Sequence, residues 1–217
     1  MLGAAIVHPD LKEVIPLAPE FIIKQDGQSK NDCERNAAKR FFDSLRKDHP
    51  HLPVIITEDA LSSNAPHIRE AEKYNLHYIL GVKKGDHPFL FRKVEEAQEN
   101  GEAVQFELVD NDNPQKTHRF LLVNHLPLNE SNQDLLINFL EYWEITSEKT
   151  QHFSWVTDFT ITKGNSYELM RGGRARWKWD RMRSLFRDFA FKSMRMLYEA
   201  LFYGMKFQPP IILYDDD

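Results

Sequence analysis

The most informative candidate for chemistry is an acidic pair, Glu58-Asp59, which directly follows a continuous apolar run at residues 53–57. Such a run predicts a strand covered on both faces, as in a parallel sheet. Open α/β sheets bind ligands at the carboxyl ends of their strands, and carboxylates there suit Mg²⁺ or Mn²⁺. Position alone favours a structural role equally, with Asp59 capping the next turn through Ser62 and Ser63. One carboxylate does not make a two-metal site, which needs three or more around a pair of ions.

A second candidate is the basic and aromatic segment at residues 171–187. Helical spacing places several of its cations in one stripe, which could neutralise phosphates, while interleaved aromatic rings suit unpaired bases. The residues predicted to contact DNA are Arg171, Arg174, Arg176, Trp177, Lys178 and Arg187. An amphipathic helix that packs Trp177 and Trp179 inward would explain the aromatic residues equally well.

The distribution of charge points to the same segment. The chain of 217 residues has a formal charge of −5, yet residues 162–207 contain eleven basic and four acidic side chains. A basic block on an acidic body suggests an anionic partner for that block, although a solvated helix face is the alternative.

Other familiar catalytic and metal-binding patterns are missing from the sequence. The single cysteine, Cys33, excludes a disulfide framework and a cysteine-based zinc cluster. Asp110 and Asp112 resemble part of a calcium loop, but a hairpin turn is the favoured interpretation. The sequence contains neither a glycine-rich phosphate loop nor a Gly-x-Ser-x-Gly motif.

Nothing in the sequence predicts a membrane or secreted protein. No apolar run approaches the roughly 18–20 residues that span a bilayer. The first ten residues lack the basic start and long apolar stretch of a secretory signal. We therefore expect an intracellular, cytoplasmic protein without a membrane partner.

The elements that would position these residues begin with an α/β pattern. Residues 3–7 and 12–17 predict a β-hairpin whose second arm continues through residues 21–23. A helix is expected at residues 29–47, because apolar positions recur there at helical spacing. Strands at 53–57 and 78–82, each followed by a helix, predict a parallel βαβ unit.

The second half of the chain has a different character. Four strand-like runs at 104–109, 118–123, 136–146 and 153–159 predict a β-rich region. From residue 165 the pattern is helical, with an interruption expected at Gly172-Gly173. We therefore expect an α/β fold with three parts: a core at 1–100, a β-rich insertion at 101–160, and helices at 161–217.

Residues 25–40, with the sequence QDGQSKNDCERNAAKR, strongly resemble a branch of bacterial insertion-sequence transposases. These enzymes belong to the DDE superfamily and have a ribonuclease H-like catalytic core. The resemblance extends through VHPD at 7–10, VIPLAPE at 14–20, TED at 57–59, ILGVK at 79–83, FSWVTD at 153–158 and RARWK at 174–178. Together these matches cover roughly residues 1–178.

The resemblance implies a mechanism and a set of partners. In such enzymes two Asp and one Glu hold two Mg²⁺ ions, which activate water and then a 3′-hydroxyl for attack on DNA phosphodiesters. Asp59 matches the second Asp, and the β-rich stretch matches the insertion that precedes the final catalytic helix. The implied partners are transposon ends and, in an oligomer, a full-length transposase.

This chain departs from the family pattern at the other two carboxylates. The family's first Asp lies on a central strand upstream of the hairpin with which this chain begins. In the final helix Arg176 matches the family's Arg, Gly173 replaces a Tyr, Asp180 stands where Glu belongs, and Arg187 replaces a Lys. If the chain instead has an internal deletion before this point, the match of Asp180 to the position of the family's Glu is a coincidence.

These departures predict a truncated transposase that does not transfer strands alone. Two alternatives are a non-catalytic remnant that binds DNA or a transposase partner, and an unstable fragment.

Overall fold

The computed structural model describes residues 2–12, 14–17, 20–22 and 30–178. The predicted hairpin is confirmed: strands β1 (Ala5–Val7) and β2 (Val14–Pro16) pair antiparallel as a separate two-stranded sheet. Phe21 and Ile22 do not extend its second arm as a strand. Among the candidate site residues, Asp180 and Arg187 lie outside the described residues.

Helix α1 (Lys30–Asp48) confirms the helix expected from periodicity. Its apolar face is buried through Phe41, Phe42 and Leu45. Hairpin residues such as Leu2 and Leu17, and residues around the next strand, pack against this cluster. Helix α1 therefore joins the hairpin to the rest of the fold through a shared core.

The predicted parallel βαβ unit is also present. Strand β3 (Ile55–Glu58) pairs in parallel with β4 (His77–Gly81), and helix α2 (Ala65–Lys73) connects them. The side chain of Asn64 caps α2 by accepting a hydrogen bond from the backbone N–H of His67. Helix α3 (Pro88–Glu99) follows β4.

The β-rich stretch continues this sheet rather than forming one of its own. Strands β5 (Val104–Val109), β6 (Thr117–Asn129), β7 (Asn132–Ile145) and β8 (Thr150–Thr157) form an antiparallel meander. Strand β8 pairs antiparallel with β4, so the six strands have the order β3-β4-β8-β7-β6-β5. The α/β class is confirmed: the described residues form a six-stranded mixed sheet with four helices.

The expectation that the strand at residues 53–57 is covered on both faces is wrong. Strand β3 is an edge strand with β4 as its neighbour, and the side chain of Ile55 is 50% exposed. The physical reason is that the two faces of β3 are covered unequally: Ile56 packs against buried residues on one face, while Ile55 on the opposite face stays half exposed.

A fourth helix, α4 (residues 166–178), crosses one face of the sheet, while α2 and α3 cover the other. It runs unbroken through Gly172-Gly173, so the expected interruption is wrong. The glycines serve close packing instead. A Cβ at residue 173 would lie 2.6 Å from the Trp155 indole, and one at residue 172 would lie 3.0 Å from Cδ1 of Ile79.

The chain divides into two compact units, residues 1–176 and 177–217. Strands β1–β8 and helices α1–α3 belong to the first unit. Of the helices that the structure describes, none has the length and apolar character needed to cross a bilayer.

Candidate functional site at the carboxyl end of β3

Asp59 lies immediately after β3 with an exposed side chain. Its Oδ1 accepts a hydrogen bond from the backbone N–H of Leu61 at 3.1 Å. Its backbone carbonyl accepts a second from the N–H of Ser62, also at 3.1 Å. The residue therefore caps the turn that leads to α2, although its carboxylate uses Leu61 rather than the predicted serines.

Glu58, the other half of the acidic pair, contacts a buried histidine. Its Oε2 lies 3.1 Å from Nε2 of His67, whose side chain is 5% exposed. Burial opposes the ionisation of both groups, but the charge of His67 keeps the pKa of Glu58 below its ordinary value. The charge of Glu58 in turn raises the pKa of His67 above its ordinary value. The two groups therefore stabilise each other as an ion pair.

Helix α4 contributes a cation to this end of the strand. The positive charge of Arg176 further lowers the pKa of Glu58, so the last turns of α4 act electrostatically on the carboxyl end of β3. Glu58 and Arg176 are more than one hundred residues apart in sequence, and the fold brings them close enough to interact.

The side chains at this site do not fit a two-metal centre. The described residues contain no group of three or more His, Cys, Asp or Glu side chains that could hold a metal ion. Glu58 is neutralised by His67, which leaves Asp59 as a single oxygen ligand. A pair of Mg²⁺ ions needs several converging carboxylates, so no reaction step through Mg²⁺ is derived from these residues.

Two arginines of the predicted DNA-binding stripe are paired within the protein. Arg171 forms a close ion pair with Asp10 in the turn of the hairpin, and a longer one with Glu168. Arg174 NH1 donates a hydrogen bond to Glu144 at 2.7 Å. Trp177 is 40% exposed, and Lys178 is partly buried. The first two arginines therefore already have carboxylate partners.

Arg174 belongs to a polar network that the sequence did not predict. His118 is buried between two partners: Nδ1 lies 2.7 Å from the Tyr142 hydroxyl, and Nε2 lies 3.0 Å from Oδ2 of Asp110. The Tyr142 hydroxyl also donates to Oε2 of Glu144 at 3.3 Å. The hydrogen bond from His118, helped by backbone donors, lowers the pKa of Asp110 to about 2.

This network joins the sheet to α4. Glu144 receives Arg174 from the helix and lies 3.1 Å from Nζ of Lys116 in the neighbouring turn. Although burial opposes its ionisation, these two cations lower the pKa of Glu144. Burial raises the pKa of Tyr142, so its hydroxyl stays protonated and serves as a hydrogen-bond partner rather than a nucleophile.

A sequence signal for part of this network existed. His118 and Glu144 are cross-strand partners on β6 and β7, so a correct strand register would have paired them. The contribution of Arg174 from α4 depends on helix docking and had no local signal.

No family model matches the chain, and a search of the curated proteins finds no match.

Proposed function

We propose that the chain is a transposase-related protein of DNA transposition that does not carry out strand transfer by itself. The observation that carries the proposal is the arrangement around β3. Asp59 follows the first strand of a parallel βαβ unit, and α4 crosses the same sheet with Arg176 acting on that strand's carboxyl end. The resemblance implies that Asp59 corresponds to the second catalytic Asp and that the final catalytic helix follows the β-rich insertion, as α4 follows β5–β8.

The separation of the two sheets also supports the proposed relationship to transposases. The β1–β2 hairpin and the region around β3 pack against the same helix, α1, yet they belong to different sheets. A ribonuclease H-like core would place its first strand between them. In the resembled enzymes that strand carries the first catalytic Asp.

The chemistry of the site favours an inactive protein. At the carboxyl end of β3, Glu58 is paired with His67, whereas Asp59 has no cationic partner among the residues that the structure describes. Its acceptor atom Oδ1 is already used by the backbone N–H of Leu61. A single exposed carboxylate can attract a hydrated cation but cannot clamp the attacking and leaving oxygens of a phosphodiester.

A plasmid-nicking assay tests this conclusion. Supercoiled DNA would be incubated with the full chain, with Asp59→Asn, and with Asp86→Asn, which removes an exposed carboxylate elsewhere, each with and without Mg²⁺. We expect no Mg²⁺-dependent nicking by any of the three. Nicking by the wild type and Asp86→Asn that disappears in Asp59→Asn would overturn the proposal of inactivity. Nicking that survives Asp59→Asn would come from another source.

A second candidate function is non-catalytic DNA binding, either alone or together with a full-length transposase. The observation that favours it is the concentration of basic residues at 162–207 in an otherwise acidic chain. Such binding would release counterions from DNA, so its strength would fall steeply with salt.

Fluorescence anisotropy with a labelled duplex over a salt series tests this function. We expect log affinity to fall linearly with log salt, and Lys178→Ala to reduce the slope by about one unit if Lys178 contacts a phosphate. Lys83→Ala removes the same charge from an exposed loop after β4 and should leave the slope unchanged. Absent or salt-independent binding would contradict the proposal.

A further inference from the structure

Strand β5 is the second edge of the six-stranded sheet, and it is unusually apolar for an edge. Val104, Leu108 and Val109 are 38%, 40% and 61% exposed. Phe106, at the middle of the strand, stacks on Phe120 of β6 at 5.1 Å. Alternation places Val104, Phe106 and Leu108 on one face. The edge thus presents an apolar strip beside backbone groups that no other described strand pairs with.

The usual protections of an edge strand are lacking within β5 itself, although Nζ of Lys163 lies 5.6 Å from the centre of the Phe106 ring. Residues 104–109 contain no Pro, Lys or Gly. The single charged residue, Glu107, accepts a hydrogen bond from Arg119 of β6 at 2.7 Å, which directs that carboxylate toward its own sheet. By contrast, β3 at the opposite edge has four residues and follows closely after Pro53. An exposed apolar edge of this kind is a template for adding another strand.

The sequence of β5 is complementary to itself. If two copies pair antiparallel about Phe106, then Val104 faces Leu108, Phe106 faces Phe106, and Gln105 faces Glu107. Val104, Phe106 and Leu108 of both copies then meet on one face, while on the other face the amide meets the carboxylate and Val109 lies opposite Ala103. Centring the pair on Glu107 would instead place two carboxylates opposite each other, which is unfavourable. Of these two registers, the side chains favour the one centred on Phe106.

We propose that β5 is a homodimerisation edge, at which a second copy of this chain adds its own β5 antiparallel in the register centred on Phe106. A two-fold axis perpendicular to the sheet would relate the copies, and the two sheets would become continuous. Stable complexes bury roughly 1,200–2,000 Å² of accessible surface, and two six-residue strands bury less than this. We therefore expect the dimer to be weak and its population to depend on concentration. This inference does not depend on the proposed function.

Sedimentation velocity of the full chain over a wide concentration range tests the interface. We expect the weight-average sedimentation coefficient of the wild type to rise with concentration, and the double variant Val104→Lys, Leu108→Lys to remain monomeric. The matched control is Leu136→Lys, which changes a 53% exposed leucine on the interior strand β7 and should associate like the wild type. A wild type that stays monomeric, or a double variant that associates equally well, would overturn the proposal.

Cysteine cross-linking tests the register without lysine substitutions. In a Cys33→Ser background, chains carrying Val104→Cys are mixed with chains carrying Leu108→Cys and oxidised. Directly opposed residues have Cα atoms about 4.5–5.5 Å apart, a separation that a disulfide can bridge. We expect cross-linked dimers in the mixture and few with either variant alone. Equal cross-linking in all three samples, or none in the mixture, would refute the register.

Discussion

Replacing Gly173 with alanine tests whether α4 docks on the sheet only because it has glycine at its closest approach. An added Cβ would lie 2.6 Å from Cε2 and Nε1 of Trp155. Non-bonded carbon atoms prefer about 3.5–4.0 Å, so the helix or the indole must move. The neighbouring Gly172 provides a matched comparison, because its Cβ would lie 3.0 Å from the terminal methyl Cδ1 of Ile79.

The expected magnitude follows from two opposing effects. Alanine in a helix interior is about 0.5–1 kcal/mol more favourable than glycine. Overpacking a filled core costs about 1–3 kcal/mol. Trp155 is 6% exposed, and its ring stacks on Phe153, so it cannot easily turn away. We expect Gly173→Ala to lower the free energy of unfolding by about 1–2 kcal/mol, a fall in Tm of about 2–8 °C for a chain of this size.

At residue 172 the gain in helix propensity outweighs the cost of overpacking. The end of the Ile79 side chain can move by a few tenths of an ångström at little cost, so the helix propensity of alanine dominates. We expect Gly172→Ala to change the free energy of unfolding by between zero and about +1 kcal/mol. Both variants would be measured by thermal unfolding followed by circular dichroism, beside the wild type. A Tm of Gly173→Ala equal to or above that of Gly172→Ala would refute the close-approach argument.

Two further predictions concern the ion pairs. Glu144→Gln should lower the free energy of unfolding by about 1–3 kcal/mol, because Arg174 and Lys116 lose a charged acceptor; an unchanged urea midpoint would contradict it. The Glu58–His67 pair should stabilise the fold most between pH 4.5 and 6.5, the ordinary pKa values of its members. This contribution is lost as pH falls through the lowered pKa of Glu58, and also as pH rises through the raised pKa of His67. The stability difference between wild type and Glu58→Gln should therefore shrink at alkaline pH, and a difference that grew there would be inconsistent with the pair.

Much of the local structure could be predicted from the sequence because its causes are local. Helical spacing of apolar residues in α1 and a capping residue at Asn64 require no knowledge of the rest of the chain. The parallel unit β3–α2–β4 also followed from segment lengths and composition. In the turn after β5, Asp110 accepts hydrogen bonds from the N–H groups of Asp112 and Asn113, as the turn interpretation expected.

The errors arose where long-range packing decided the outcome. The apolar run at β3 indicated burial on both faces, but the cover of each face depends on what the rest of the chain packs against it. Here Ile56 packs against buried residues, while Ile55 on the opposite face stays half exposed. Similarly, a glycine pair in a helix usually marks an end, but in α4 it allows contact with Trp155.

For the candidate site, the sequence by itself determined which residue types stand at the end of β3 and which segment is basic. It also determined the resemblance that makes transposition the proposed function. Only the tertiary structure decided how those groups are used, because ion pairing depends on distances between elements. It paired Glu58 with His67 and Arg174 with Glu144, and left Asp59 capping a turn. Composition determines how many basic side chains the chain has. Whether each of them can bind a ligand depends on whether folding places a carboxylate next to it.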